Sequence, residues 1–314
     1  MVFVIRRILQ SAVVVLVMSL VVFVGVNVVG DPVHILISDD MTQAEIDRFI
    51  QKLGLDRPLH EQYLHFLANA ARGDLGNSFV HGEPALKLIL ERMPATLELA
   101  FAAFLLAIIV GIPLGMYAGL KPESPASRAI MAGSILGFSL PTFWVGLMLI
   151  MVFAVMLGWL PSTGRGDFMT WDGLRHLALP AINLALFKMA LVTRLARAGT
   201  REAALQDYVK FARAKGLAPS RVVLVHVLKN IMVPVVTVLG LELGGLIAFS
   251  VVTETVFAWP GMGKLLIDSI QRLDRPVIVA YLVITVLMFV VINLIVDLLY
   301  AALDPRVRLR EMKA

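Results

Sequence analysis

Six runs of apolar residues, each long enough to cross a bilayer, constrain this chain more than any other feature. The hydrocarbon core is about 30 Å thick and takes roughly 20 helical residues to cross. The runs are Ile8–Val29, Leu97–Gly119, Ala129–Trp159, Leu177–Leu195, Ile231–Val256 and Val277–Leu303. The third is too long for one crossing and too short for two with a turn. Pro141, inside FSLPTFW, marks it as one long helix kinked or broken there. Only 16% of the residues are charged, against about 25% in soluble domains. The expected fold is all-α, a polytopic membrane protein with six transmembrane helices. Arg6 and Arg7 precede the first run, which is too long for a signal-peptide core and lacks an A-x-A site after it. It therefore reads as an uncleaved anchor.

Six spans place both termini on one side, and the Lys/Arg bias in the short loops says which. One side carries sixteen Lys/Arg, eight of them between Arg194 and Lys229, and the other eleven, spread over far more residues. The richer side is expected to be cytoplasmic, with both termini there. The net charge of +5 is then a topology signal, and no nucleic-acid partner is expected. The organisation reads as residues 1–30, N-terminus and first span; 31–96, an external segment; 97–303, a five-helix core with a cytoplasmic loop at 200–230; and 304–314, a cytoplasmic tail. Within the external segment, TQAEIDRFIQKLG and EQYLHFLANAARG have helical apolar spacing, the first with a Thr42/Glu45 capping box. Both are short and amphipathic, suited to the membrane surface or the external mouth.

Catalytic constellations are missing from the sequence. The nearest approach to a phosphate loop is PGMGKLL, where Ala258 replaces the first glycine and Leu265 the Ser/Thr. There is no H-E-x-x-H, no G-x-S-x-G and no cysteine, and the six histidines are scattered. No catalytic residue, metal site or cofactor is expected in this chain.

Ionisable residues inside the spans are costly and point to function. Lys188 lies near the middle of the fourth span and Glu242 in the fifth. They are expected to line an aqueous path or to pair with each other; the competing reading has Lys188 snorkelling and Glu242 meeting a partner loop. With Pro141 they are the candidate path or gate residues. Glu98, Glu254 and Asp297 stand near span ends and read as interfacial.

The most distinctive polar stretch is YVKFARAKGLAPSRVVLVHVLKN, Tyr208 to Asn230. Tyr208, Phe211, Ala212 and Lys215 recur at i, i+3, i+4 and i+7, which predicts a short helix. Gly216 suits a left-handed cap, and Pro219 suits the first turn of a second helix. Too polar to span, this element must lie on lipid or fill a groove in another protein.

Here the chain resembles a known family. DYVKFARAKGL, a basic helix and NIMVPVV look like the cytoplasmic coupling loop of binding-protein-dependent ABC importer permeases, closest to the B-type subunit of the dipeptide/oligopeptide and nickel group. The general E-A-A…G signature is met only at Ala212 and Gly216; Lys210 and Phe211 depart from it, as the peptide group's D-Y-V-x-x-A-R-A-K-G variant does. GLDRPLHEQYLHFL, RGDLGNSF, ERMPATLELA, GIPLGMYAG, ETVFAWPGMGKLL and DLLYAALDPRVR extend the likeness over nearly the whole chain.

The resemblance implies a type I ABC importer permease in the bacterial cytoplasmic (inner) membrane. It implies pairing with a second homologous permease, docking of two ATP-binding subunits that hold ATP and Mg, and delivery of di- or oligopeptides by an external binding protein. The coupling residues carried over are Asp207, Tyr208, Ala212, Arg213, Ala214, Lys215 and Gly216. Tyr208, Ala212, Arg213, Lys215 and Gly216 are expected to form the docking surface. The rival reading is a stand-alone secondary carrier or channel, disfavoured by the few deep acids and the large basic loop.

Overall fold

The computed structural model describes residues 2–28, 42–43 and 56–303. The helix expected over TQAEIDRFIQKLG, the side chain of Asp297 and the tail 304–314 lie outside the described residues, Thr42 and Gln43 excepted. The described chain is helical, with an isolated bridge between Asn77 and Pro84 as its only extended pairing. The helices are α1 (Val2–Val28), α2 (Leu59–Ala70), α3 (Ala85–Leu120), α4 (Pro125–Ser139), α5 (Thr142–Leu149), α6 (Trp171–Leu205), α7 (Asp207–Ala214), α8 (Pro219–Arg221), α9 (Leu228–Val256), α10 (Met262–Gln271) and α11 (Arg275–Leu303). Ile150–Met156 continues α5, and Val222–Val227 joins α8 to α9, both in π-helical form.

Helices α3, α6 and α11 are each long and apolar enough to cross a membrane. Two bent pairs pass the same length and hydropathy test when each is taken as one span: Pro125–Ser139 with Thr142–Met156, and Pro219–Met232 with Pro234–Gly240. Helix α1 contributes the apolar run Leu9–Gly25. The third expected span is broken rather than continuous: the chain bends by 110° between its halves. Leu140 and Pro141 sit extended at the corner, with ψ of 137° and 130°, because the residue before a proline is driven out of the α region.

The second span departs from expectation at its start. Residues 85–96, assigned to the external segment, already belong to α3, and Pro94 lies inside the helix instead of before it. Charge in this first stretch disguised the helix, and Lys87 there pairs with Glu83 at 3.1 Å and Glu91 at 3.9 Å. Helix α2 matches the second amphipathic stretch and packs on a span: Phe23 of α1 meets Tyr63 and Phe66 with ring centroids 5.4 and 5.9 Å apart.

The tightest helix pair is α3 with α6. Gly111, Gly115 and Gly119 recur every fourth residue and bring α3 onto the α6 backbone. A β-carbon at Gly115 would lie 2.6 Å from Ala196 Cβ, and one at Gly119 2.9 Å from the Arg197 carbonyl. Small residues are what allow such an approach in a bilayer, where no hydrophobic drive pushes helices together. Two buried clusters flank the contact. One, around Leu99, Leu246, Trp259 and Met262, lies towards the end of the bundle that carries Trp259. The other, around Val192, Val209, Val222 and Ile231, lies towards the end that carries Gly216.

Candidate functional site

At the Gly216 end the chain leaves α6, turns at Gln206 and forms α7. The C-terminus of α7 closes in a Schellman arrangement: Leu217 N donates to the Ala212 carbonyl at 3.3 Å and Gly216 N to the Arg213 carbonyl at 2.9 Å. Gly216 takes φ +77°, the left-handed region in which an L side chain is strained by about 1–2 kcal/mol. Pro219 then opens α8 at its first position. The predicted helix–glycine–helix is therefore present, with its hinge where the spacing placed it.

The face it presents differs from the expected one. Val209 and Ala212, three residues apart, are buried in the cluster with Val222 and Val227. Ala212, expected on the docking surface, thus packs α7 onto its own subunit and offers little surface outward. Asp207, Tyr208, Lys210, Phe211, Arg213, Ala214 and Lys215 are exposed. Phe211, expected on the apolar face with Ala212, is 62% exposed, and the Lys215 ammonium sits 4.7 Å from its ring centre. The result is a rigid stub with an aromatic tip and basic flanks.

Lys188 is the central residue of α6 and Glu242 the central residue of α9. The two meet in an ion pair. The Lys188 side chain is 5% exposed and that of Glu242 35%, so the cation is sunk between helices and does not snorkel. Phe187 and Phe249 place their ring centres 5.3 and 5.8 Å from the ammonium, a cation–π geometry. Phe187 also stacks on Phe138 at 4.5 Å, which sets the corner at Leu140–Pro141 at about the depth of the ion pair. A cation–π contact of Arg194 with Phe138 at 4.8 Å follows about two turns on along α6.

At the Trp259 end the structure assembles a site that spacing did not reveal. Glu254, expected at an interface, is wholly buried. Its Oε1 accepts from Thr96 Oγ1 at 2.7 Å and Ser250 Oγ at 2.9 Å, and its Oε2 accepts from Lys264 N at 3.0 Å. Thr96 Oγ1 in turn accepts from Met262 N at 2.8 Å. The carboxylate thus sits at the N-terminus of α10, where free N–H groups favour an anion. Gly261 and Gly263 make room for it: a β-carbon at Gly261 would lie 2.5 Å from Glu254 Oε1. The motif that failed as a phosphate loop does wrap an anion, but the anion is the chain's own. Trp259 closes the cluster, its Nε1 donating to the Ala95 carbonyl at 2.8 Å.

Two more contacts lock this end. Arg165 pairs with Glu98 through Nε at 2.9 Å and lies 5.9 Å from the Trp259 ring centre. Glu98 is therefore an internal partner rather than an interfacial charge. Asp274, ahead of α11, accepts from Phe79 N at 3.0 Å and from Ser78 Oγ, clasping the 73–84 loop. Among the described residues no group of His, Asp and Glu could hold a metal ion.

The chain as a whole matches known proteins. Residues 111–309 match the family model "Binding-protein-dependent transport system inner membrane component", and residues 1–100 match the model of that family's N-terminal part. The chain belongs to this permease family. The permease is 41% identical over 302 residues to the di/tripeptide transport system permease of Pseudomonas aeruginosa, covering 89% of this chain and 90% of that one. It is 41% identical over 311 residues to the oligopeptide transport system permease of Bacillus subtilis, covering 97% and 98%. It is 39% identical over 307 residues to the glutathione transport system permease of Escherichia coli K12, covering 98% of each. Among solved structures, the inward-facing MetNI methionine ABC transporter matches 70% of the permease and 97% of that chain, with a TM-score of 0.55 at 16% identity. That likeness is one of fold, the type I ABC importer permease fold. The permease is thus a multi-pass inner-membrane component of a transport system and not an enzyme. Its N-terminal family part ends inside α3, so the junction between the two matched parts falls within a continuous helix.

Proposed function

We propose that the permease forms one half of the path of an ATP-driven importer of short peptides. A second homologous permease supplies the other half, and two ATP-binding subunits, which hold ATP and Mg, dock at the Gly216 end. An external binding protein delivers the peptide to the Trp259 end. The Gly216 end and both termini then face the cytoplasm, and membrane lipid covers the remaining apolar surface. Pro141, Lys188 and Glu242 belong to the path wall. Peptides are the cargo favoured by the relatives named for di/tripeptide and oligopeptide transport.

The observation that carries this reading is the α7 stub. Its inner face, Val209 and Ala212, is sealed to the subunit, while Phe211, Arg213 and Lys215 are exposed beside an exposed Asp207–Lys210 ion pair at 2.9 Å. A rigid, solvent-facing aromatic with basic flanks suits a cleft with an apolar pocket and an acidic rim. Force applied there passes through Gly216 and the π-helical turn into α9, and through Gln206 into α6. The two helices that carry Lys188 and Glu242 are therefore the two that the stub moves.

The test is reconstitution of the permease with its three kinds of partner in vesicles. Phe211→Ala should cut ATP-dependent dialanine uptake at least tenfold and weaken retention of the ATP-binding subunits. Its melting temperature should be unchanged, because the ring is exposed. Gly216→Val should abolish uptake and leave membrane insertion intact. Undiminished uptake in both variants overturns the docking role. Uptake by the permease alone, driven by an ion gradient without ATP, would instead establish the carrier reading.

A further inference from the structure

A partly exposed carboxylate at the middle of a span needs an explanation that the ion pair alone does not supply. Lys188 lies on one side of Glu242 and bonds Oε2. Among the described residues no donor reaches Oε1, and the side chain keeps 35% of its surface open. Phe249, seven residues on and so on the same face of α9, is 67% exposed. Between them stands Gly245, where a β-carbon would lie 3.6 Å from Lys188 Nζ and 3.7 Å from Glu242 Oε2. Its hydrogen keeps the approach to the pair clear.

A carboxylate facing lipid at mid-depth costs about 2.5–3.5 kcal/mol on insertion scales. That cost disfavours lipid on this side of α9, and the importer reading above puts the side on the path. It looks into water or across to a partner, as the wall of a path would. What the face offers is specific: one free carboxylate oxygen, an open aromatic ring beside it, and a cation already neutralising the carboxylate from behind. That set suits a second ammonium group. Its N–H bonds go to Oε1 and its charge rests against the negative face of Phe249. It suits an anion poorly, since Lys188 is 5% exposed and screened by Glu242.

We propose that Glu242 and Phe249 form a mid-membrane subsite for the α-ammonium of the peptide in transit, with Lys188 holding the carboxylate in place and limiting how tightly it binds. The inference rests on the peptide-importer reading above and names the substrate group that the path recognises. Lys188 matters for turnover: a carboxylate already paired holds an ammonium less firmly than a free one, so the peptide is bound and released.

The experiment uses the complete transporter in vesicles with two probes, dialanine and lactoyl-alanine, which carries a hydroxyl in place of the ammonium. Both are presented as saturated binding-protein complexes, and the readout is the ratio of their uptake turnovers. Delivery is common to every variant, so a change in the ratio belongs to the membrane path. Relative to the parent, Glu242→Gln should lower the ratio at least fivefold, Glu242→Asp should restore most of it, and Phe249→Leu should lower it about twofold to threefold. Phe249 is exposed, so that variant tests the subsite even if Glu242→Gln fails to assemble. A ratio unchanged in Glu242→Gln and Phe249→Leu, however slow either variant is, overturns the subsite. A parent transporter that takes up neither probe overturns the peptide reading itself and removes the basis of this one.

Discussion

Replacing Glu254 removes the acceptor around which α3, α9 and α10 are joined, and the hydrogen bonds set the size of the effect. In Glu254→Ala three donors lose their partner. Ser250 Oγ keeps an alternative, the Ile247 carbonyl at 2.8 Å, so its loss is small. Thr96 Oγ1 and Lys264 N have no such fallback among the described residues, and a buried donor left unpaired costs about 1–3 kcal/mol. The expected destabilisation is about 2–6 kcal/mol. At about 2 °C per kcal/mol for a chain of this size, the melting temperature in detergent should fall by about 4–12 °C. Glu254→Gln should lose less, because its carbonyl can face Lys264 N while the hydroxyls rotate to accept from its amide. Gly261→Ala drives a methyl against the same carboxylate and should destabilise on its own. In the double variant Glu254→Ala/Gly261→Ala that clash disappears, so the two effects should fall short of their sum by more than about 1 kcal/mol. Melting of detergent-solubilised protein by size-exclusion fluorescence reads all four variants. A Glu254→Ala protein melting within 1 °C of the parent, or strict additivity in the double variant, would refute the clamp.

Three further outcomes follow from other contacts. Gly115→Ala should separate α3 from α6 and lower folded yield several-fold, whereas Gly133→Ala, with nothing within 4 Å of its β-carbon, should leave yield unchanged; membrane yields of the two compared side by side decide this. Asp274→Ala should free the 73–84 loop without melting α11, read as faster amide exchange at Ser78 and Phe79 against unchanged exchange in α11. Arg165→Ala leaves Glu98, 11% exposed, without its cation, and should destabilise by about 1.5–3 kcal/mol; the same thermal assay measures it, and Arg165→Ala paired with Glu98→Gln should recover part of the loss.

The sequence by itself determined the features that depend on neighbours along the chain. Apolar runs of bilayer length gave the spans, because insertion is decided by local composition. Gly216 and Pro219 marked the hinge, because a left-handed residue and a fixed φ are demands of the backbone alone. Pro141 marked the break in the third span for the same reason. The start of α3 at Ala85 was hidden because Pro94 and the charged residues before it mimic a helix boundary.

What only the tertiary structure decided concerns pairs far apart in the chain. Lys188 and Glu242 are 54 residues apart and Thr96 and Glu254 158 apart; no local spacing encodes either meeting. Glu254 read as interfacial because its position near a span end was visible and its donors on α3 and α10 were not. Ala212 and Phe211 exchanged roles for a related reason: periodicity shows that a short helix has an apolar side, but the packing of Val209 and Ala212 on Val222 and Val227 decides which side turns inward. The glycines of GIPLGMYAG and PGMGK were plain in the sequence. Their purpose, room for the α6 backbone in one case and for a buried carboxylate in the other, exists only once the helices are brought together.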